Sequence, residues 1–523
     1  MGHGTSDTQL RFKGLSSEYR PRRPEETVLY QAVAKNYRTF EAFTEYEGKR
    51  IPRHVSQEFQ AFLKCGILAH GFLRLSCTDC KKEKVVAFSC KKRGFCSSCG
   101  GRRMAESAAH LVDEVFPKVG IRQWVLSFPM PVRFILAKNP KIQAKCLTIV
   151  HRAITHFIRK KAKQKGFKAR LHPGAVTLIQ RFGGSLNLNV HYHMLFLEGG
   201  YYQTESSLEQ GPKFWWIDPP TDAEIQVMVS TLAIRVIRCL KRNGYFRDDV
   251  EGVLPDEEVS QEELFSGLQA ASVQSKIALG ERQGQRVRRL GSMGPSDFHP
   301  ELKGPLCAMA AGFSLHAEVY CAPWERDKLE KLCRYIARPA VSEERLKQLP
   351  SGDIVLKLKT KYSDGTSHLL FSGLEFIETL RTGVRKAGSP VDCPVAGCEG
   401  KENAALVPPP RIHLTRFFGC LAPHAKIRSL IVPKKEEPPT PATAASVETT
   451  EKSKRSKQKT WAELLARVFD IDVKKCSHCA GELKIIAAII EVAAIRKILG
   501  HLGLPDKPPD IAPARLPTQL SFA

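Results

Sequence analysis

The stretch NVHYHMLFLEGG, residues 189–200, places His191 and His193 two positions apart inside an apolar run. In a β-strand, residues i and i+2 face the same side, so both imidazoles project from one face of a sheet. Two neutral imidazoles so placed are a ready pair of ligands for a divalent metal. Val190, Met194, Leu195, Phe196 and Leu197 around them are strand formers with a buried signature. The same arrangement also occurs as plain sheet structure, so a second element has to decide.

That element is CAPWERDKLEKLCRYIARPAVSEERL, residues 321–346. Pro323 suits a first helical turn and Pro339 ends the helix. Leu329, Leu332, Cys333 and Ile336 recur at helical spacing and form one apolar stripe. Tyr335 falls off that stripe, on a flank shared with Lys328, Lys331 and Arg338. A core tyrosine belongs on the stripe; a phenol among cations suits attack on a phosphodiester, where positive charge holds the phosphate and favours the phenolate.

A His-hydrophobe-His strand followed by a helical tyrosine resembles the HUH single-strand endonucleases. More narrowly, the chain resembles the rolling-circle transposases of the insertion sequence ninety-one family and its common-region relatives. The matching stretches include FLKCGILAHGFLRLSCTDC, FSCKKRGFCSSCGGRRMAE, WVLSFPMPVRF, LNLNVHYHMLFLEGGYY, GFSLHAEVY, CRYIARPAVS, LVPPPRIHLTRFFGCLAPHAKIRS and WAELLARVFDIDVKKCSHC, in the family's order. The resemblance implies an α+β core with a central antiparallel sheet and flanking helices, preceded by a small zinc-binding domain. It implies a transposase in which Tyr335 nicks and rejoins single-stranded DNA at transposon ends through a 5′-phosphotyrosine, with Mg²⁺ or Mn²⁺ at the histidines. Its partners would be transposon-end and target DNA and the host replication machinery, in a bacterial cytoplasm at the nucleoid.

Three departures qualify the match. Relatives with two tyrosines carry the first four residues earlier, where this chain has Lys331, so it reads as a single-tyrosine type. A related branch completes its metal site with a glutamine four residues after the nucleophile, where this chain has Pro339. Gln180 is then the candidate third ligand: a turn at Gly183-Gly184-Ser185 puts it near Asn189, on the face of His191 and His193. The segment 379–403 also interrupts what reads as a continuous helix.

Cysteine usage points to metal. Cys77-x-x-Cys80 and Cys96-x-x-Cys99 are two knuckles at the separation of a structural zinc site, and the four are expected to share one ion. Cys65, His70 and Cys90 are candidates for a second site. A third knuckle, Cys476-Ser-His-Cys479, lacks two ligands and reads as a remnant or an inert pair unless His478 or a distant residue completes it.

Lys and Arg number 80 against 54 Asp and Glu, a formal charge of +26 that suits a polyanionic partner. The densest block, RKKAKQKGFKAR (159–170), has no acid. Lys160, Lys161, Arg102, Arg103, Lys331 and Arg338 are the candidate DNA contacts. No segment reads as a membrane span, and the first residues lack a secretory apolar core.

The chain divides into a basic arm (1–53), the zinc-binding, DNA-binding domain (54–110), a nuclease domain (111–432, with a probable insertion at 244–305), a compositional linker (433–459) and a small C-terminal domain (460–523). The residues leave three rivals open: a catalytically decayed zinc-dependent DNA-binding protein, a replication-initiator-like nickase, and a metal hydrolase without a covalent intermediate.

Overall fold

A computed structural model describes residues 22–203, 211–246, 298–362, 364–382, 407–408, 412–433, 467 and 474–515. Most of the expected insertion 244–305, of the linker 433–459 and of the 379–403 interruption lies outside the described residues. No helix among the described residues is long and apolar enough to cross a membrane.

In chain order, α1 (Val28–Tyr46) and α2 (Arg53–Lys64) lead into the hairpin β1 (Phe72–Cys77) and β2 (Glu83–Ala87). Helix α3 (Ser97–His110) follows and widens into a π-turn at Leu111–Val115. Then come β3 (Ile121–Ser127), α4 (Met130–Lys138), α5 (Pro140–Gln164), β4 (Gly174–Phe182) and β5 (Leu188–Leu197). A small ribbon, β6 (Gly199–Tyr202) with β7 (Lys213–Trp216), precedes α6 (Asp222–Arg242). Short strands β8 (Glu301–Gly304), β9 (Cys307–Ala310), β10 (Phe313–His316) and β11 (Tyr320–Cys321) feed α7 (Arg326–Ile336). The strands β12 (Leu346–Gln348), β13 (Ile354–Lys357) and β14 (His368–Phe371), helix α8 (Gly373–Thr382) and β15 (Thr415–Gly419) complete the central part. The tail adds β16 (Leu483–Ile489) and α9 (Val492–His501).

The central sheet has eight strands in the order β15-β4-β5-β3-β10-β9-β8, with β11 also pairing β3. Its named pairings are antiparallel. Alternation along the strands sorts two faces. Trp124, Leu126, Phe128, Val190, Tyr192, Met194 and Phe196 face α4, α5 and α6 in one core. Val176, Leu178, Leu195 and Ile121 face the other way, onto Leu111 and Val112 of the π-turn and Leu329, Cys333 and Ile336 of α7. Helices therefore cover both faces, which is why β5 is apolar almost throughout and not alternating.

A third core joins α1 and α2 to the Cys96 knuckle, to β12–β14 and to α8. Phe59 and Phe62 pack on Phe95 there, one tilted and one edge-on, beside Val341, Ile354, Phe371 and Phe376. The N-terminal module is thus built on residues from both sides of the central sheet in sequence. β10 and β11 are separate short strands, with Arg122 donating to Ala317 O at 2.9 Å between them and pairing with buried Glu198 at 2.8 Å.

Candidate functional site

His193 pairs with Val125 of β3 and with Leu178 of β4, while Gln180 sits directly opposite His191. The sequence expectation put Gln180 near Asn189. The observed register is two residues along, and an even slip keeps the face. Gln180, His191 and His193 therefore share one face, all nearly buried at 4%, 8% and 6% exposure. The imidazole centroids lie 4.8 Å apart.

The hydrogen bonds around these groups leave several buried polar atoms without a partner. His191 Nδ1 lies 2.7 Å from Asn189 O, a bond that needs a proton on Nδ1 and leaves the Nε2 lone pair unused. His193 Nδ1 lies 2.8 Å from Gln123 Nε2, and His193 Nε2 is buried without a partner; with the Gln123 amide turned so that its oxygen accepts from Nδ1–H, the Nε2 lone pair is left for a ligand. Gln123 was missed in the sequence because a strand glutamine carries no pattern. It occupies the position from which an outer hydrogen bond fixes a ligand imidazole. Gln180 Oε1 is likewise buried and unpartnered, as is Asn189 Oδ1, two residues from His191 on the same strand. Burial holds His191 down to about 4 and His193 down to about 3, so both are neutral at physiological pH. Neutral imidazoles and orphan oxygens in one buried spot fit a divalent ion.

Tyr335 lies in the last turn of α7, half exposed, off the stripe made by Leu329, Cys333 and Ile336. The helix is fastened at both ends. Arg326 donates to Phe116 O at 3.0 Å, to Pro117 O at 3.2 Å and to Val112 O, capping the end of the π-turn. At the other end the Gln180 amide N–H donates to Ile336 O, one residue past the tyrosine. The glutamine that offers an oxygen beside the histidines thus holds the helix of the tyrosine. Arg338 stacks on the Tyr335 ring at 4.2 Å and donates to Tyr335 O at 2.8 Å; Lys359 Nζ lies 5.4 Å from the same ring.

Arg338, Lys359 and Arg345 line a groove of about 350 Å³ together with Gly183, Gly184 and Ser97. Arg345 is held by Lys357 O at 2.7 Å and by Gly184 O. Burial, then Arg338 and Arg345, hold the Lys359 ammonium down to about 8. Helix α3 closes against the far side through Gly100, where an added Cβ would lie 2.6 Å from Pro339 Cβ. Only glycine lets the zinc module approach so near the tyrosine helix.

The cysteines form two clusters, and the grouping differs from the sequence expectation. Cys96 and Cys99 gather with Cys65 and Cys90, whereas Cys77 and Cys80 gather with Cys476 and Cys479. The knuckles 77–80 and 96–99 do not share a site because the β1–β2 hairpin carries the first away from α3, which holds the second. His70 is exposed on a 3₁₀ turn and joins neither cluster. In the first cluster, sulfur separations are 3.4 Å (Cys90–Cys99) and 3.7 Å (Cys65–Cys99 and Cys65–Cys96). Four thiolates about 2.3 Å from a tetrahedral zinc stand roughly 3.8 Å apart, so the geometry suits that ion. Contact with Cys65, then Cys90 and Cys96, pulls the Cys99 thiol down toward thiolate.

Structural zinc contributes about 10–16 kcal/mol to small modules. Cys99→Ser is accordingly expected to remove one zinc per chain and loosen the Phe59–Phe62–Phe95 packing built around the cluster. Metal content and thermal unfolding check this; full zinc content with an unchanged Tm would show the cysteines to be bystanders.

The candidate DNA contacts separate. Lys331 is exposed on α7, and Arg102 and Arg103 lie on α3, which packs against α7. Lys160 is exposed on α5, on the opposite side of the sheet from the histidine pair. Lys161 is a correction: it is buried, donates to Pro219 O at 2.6 Å and pairs with Glu224 at 2.6 Å, so its charge is used inside the fold. Among other tyrosines, Tyr192 is fully buried and donates to Gln143 O on the far face, and Tyr201 is buried. His316 contacts Glu318 at 3.4 Å.

Two family models match the chain. Residues 174–390 match the family described as "Putative transposase", a span from β4 through the tyrosine helix. Residues 35–128 match the family described as "Transposase zinc-binding domain", which takes in Cys65, Cys77, Cys80, Cys90, Cys96 and Cys99. No curated protein and no solved structure matches it.

Proposed function

We propose that this chain, which belongs to the insertion sequence ninety-one family of transposases and carries that family's N-terminal zinc-binding domain, cuts and rejoins single-stranded DNA through a covalent bond to Tyr335. The observation that carries the reading is Gln180, which lies directly opposite His191 with a buried, unpartnered side-chain oxygen and holds the tyrosine helix with its amide nitrogen.

In this reading the Tyr335 phenolic oxygen attacks the scissile phosphorus. The bond from phosphorus to the 3′-oxygen breaks, leaving a 5′-phosphotyrosine and a 3′-hydroxyl. The phenolic proton passes to solvent, and the departing 3′-oxygen takes one up. Arg338 and Lys359, 4.2 and 5.4 Å from the ring centre, offset the charge gathering on the phosphate and the phenolate. Mg²⁺ or Mn²⁺ held by His191, His193 and Gln180 would supply Lewis-acid polarisation of that phosphate, with Asn189 Oδ1 as a further oxygen donor. Two imidazoles make this set softer than the all-oxygen shell Mg²⁺ prefers, so Mn²⁺ is expected to be the better activator. The groove lined by Arg338, Arg345 and Lys359 takes the flanking DNA backbone. The phosphotyrosine bond stores the energy of the cut linkage, so a free 3′-hydroxyl can reverse the reaction without ATP.

The test is a denaturing gel. The protein, a divalent ion and labelled single-stranded DNA from its element's end should give a band of protein size that survives denaturation. Cleavage products without any adduct would point instead to hydrolysis by water, and neither product to a DNA-binding protein without nuclease activity.

The groove gives a second expectation. Lys359 loses its charge as pH rises through about 8, because burial and two arginines oppose protonation. A bound phosphate favours the charged form. Affinity for single-stranded DNA should therefore fall between pH 7 and 9, and Lys359→Arg should flatten that fall. Titrations monitored by fluorescence anisotropy check both; an identical pH profile in the variant would remove Lys359 from the DNA path.

A further inference from the structure

We propose that a second zinc ion, held by Cys77 and Cys80 from the N-terminal module and by Cys476 and Cys479 from the tail, clasps the two ends of the chain together. The residues joined are 402 (Cys77–Cys479) and 396 (Cys80–Cys476) positions apart, with sulfur separations of 3.4 and 3.6 Å. All four sulfurs lie within 4.8 Å of one another. Each knuckle offers two thiolates, and a closed tetrahedral site needs four. Beyond these four, no cysteine or histidine joins the group among the described residues. The matched zinc-binding region ends at residue 128 and holds only half of this ligand set.

The backbone is arranged to make the meeting close. β16 pairs with β1 from Phe72↔Ile489 to Cys77↔Leu483, which delivers the tail knuckle beside the first. Thr78 N–H donates to Glu482 O at 2.9 Å across the join. At Gly481 an added Cβ would lie 2.4 Å from Asp79 Oδ2 and 3.0 Å from Cys77 Sγ, so the approach needs a residue without a side chain.

Apolar packing alone is too small to hold the tail. Its core with β1 consists of Phe72, Ile495 and Leu499, with Leu68, Val85 and Ile489 around them, and Ile485, Ile486, Ile490 and Val492 are exposed. Such a core is of a size that ordinarily depends on a metal. Once docked, the tail reaches α1, where Ala512 N donates to Ala34 O at 3.0 Å. Upstream of the knuckle, Arg467 bridges Asp113 of the π-turn and Glu330 of the tyrosine helix at 2.5 Å each. The clasp thus fixes a segment that also braces the nucleophile's helix.

The test uses the full chain with a protease site inserted between residues 445 and 446. The intact protein should carry two structural zinc ions after removal of loosely bound metal, and both Cys80→Ser and Cys476→Ser/Cys479→Ser should carry one. After cleavage, the tail fragment should co-elute with the rest of the zinc-loaded protein and separate on chelation or in the serine variants. Cys479→His, which keeps a zinc ligand, should retain both the second ion and the attached tail. Cys146→Ser, a buried cysteine outside either cluster, should change neither. Equal zinc content in the intact and Cys476→Ser/Cys479→Ser proteins, or a cut tail that stays bound in that variant, would overturn the proposal.

Discussion

Tyr335→Phe is expected to abolish the protein–DNA adduct while leaving DNA binding within about twofold. The substitution keeps the ring that Arg338 and Lys359 approach, so the groove and its charge persist. It removes the oxygen that would attack phosphorus in the proposed reaction, and loss of a nucleophile typically costs ~10⁴-fold or more in rate. The alternatives are structurally poor: Tyr192 is sealed in the opposite core and Tyr201 is buried. Adduct formation is read on a denaturing gel and binding by anisotropy on the same preparation. Undiminished adduct in Tyr335→Phe would mean that another side chain carries the chemistry and that the groove is misread.

His191→Ala and His193→Ala should each lower metal-dependent cleavage by ~10³-fold or more, on the scale expected when a transition-state charge loses its stabiliser. The expected cost is large because each ring is buried and, in the proposed site, supplies a nitrogen ligand. Gln123→Ala leaves both rings but frees His193 to rotate, and such outer-shell losses cost about 10–100-fold in metal affinity. Raising Mn²⁺ should therefore rescue Gln123→Ala and fail to rescue the histidine variants. Cleavage titrated against Mn²⁺ separates the cases, and a His193→Ala enzyme with the parent's metal dependence would exclude the histidine pair as the ion's site.

The parts legible in the sequence are those in which one residue pattern has one physical consequence. The run around His191 could only be a buried strand, and the glycines at 183 and 184 announce the turn that pairs it with β4. Alternation then fixed the face of Gln180 despite the two-residue difference in register. The stripe of α7 placed Tyr335 outside the core for a similar reason, since the helical period assigns every residue a direction. What stayed hidden depends on distant partners. A Cys-x-x-Cys states that two thiolates are close together and says nothing of which other two will join them. The pairing of Cys77 with Cys479 needed the β1–β16 register. Charge runs are similarly mute about direction: Lys160 and Lys161 are neighbours in one basic block, yet one is exposed and the other is buried on Glu224. Lys359 sits in no motif and meets Tyr335 only through the fold.

Gln180 has a consequence for how the ion and the nucleophile influence one another. One planar amide carries an unpartnered oxygen, on a residue opposite His191, and donates its N–H to Ile336 O. In the proposed site, a cation on the oxygen would polarise the amide and make its N–H a stronger donor. Metal loading would then tighten the docking of the tyrosine helix, and by reciprocity the docked helix must raise metal affinity by the same factor. Each half of the machinery would be a weak effector of the other, so that cutting competence appears only when ion and helix are both in place.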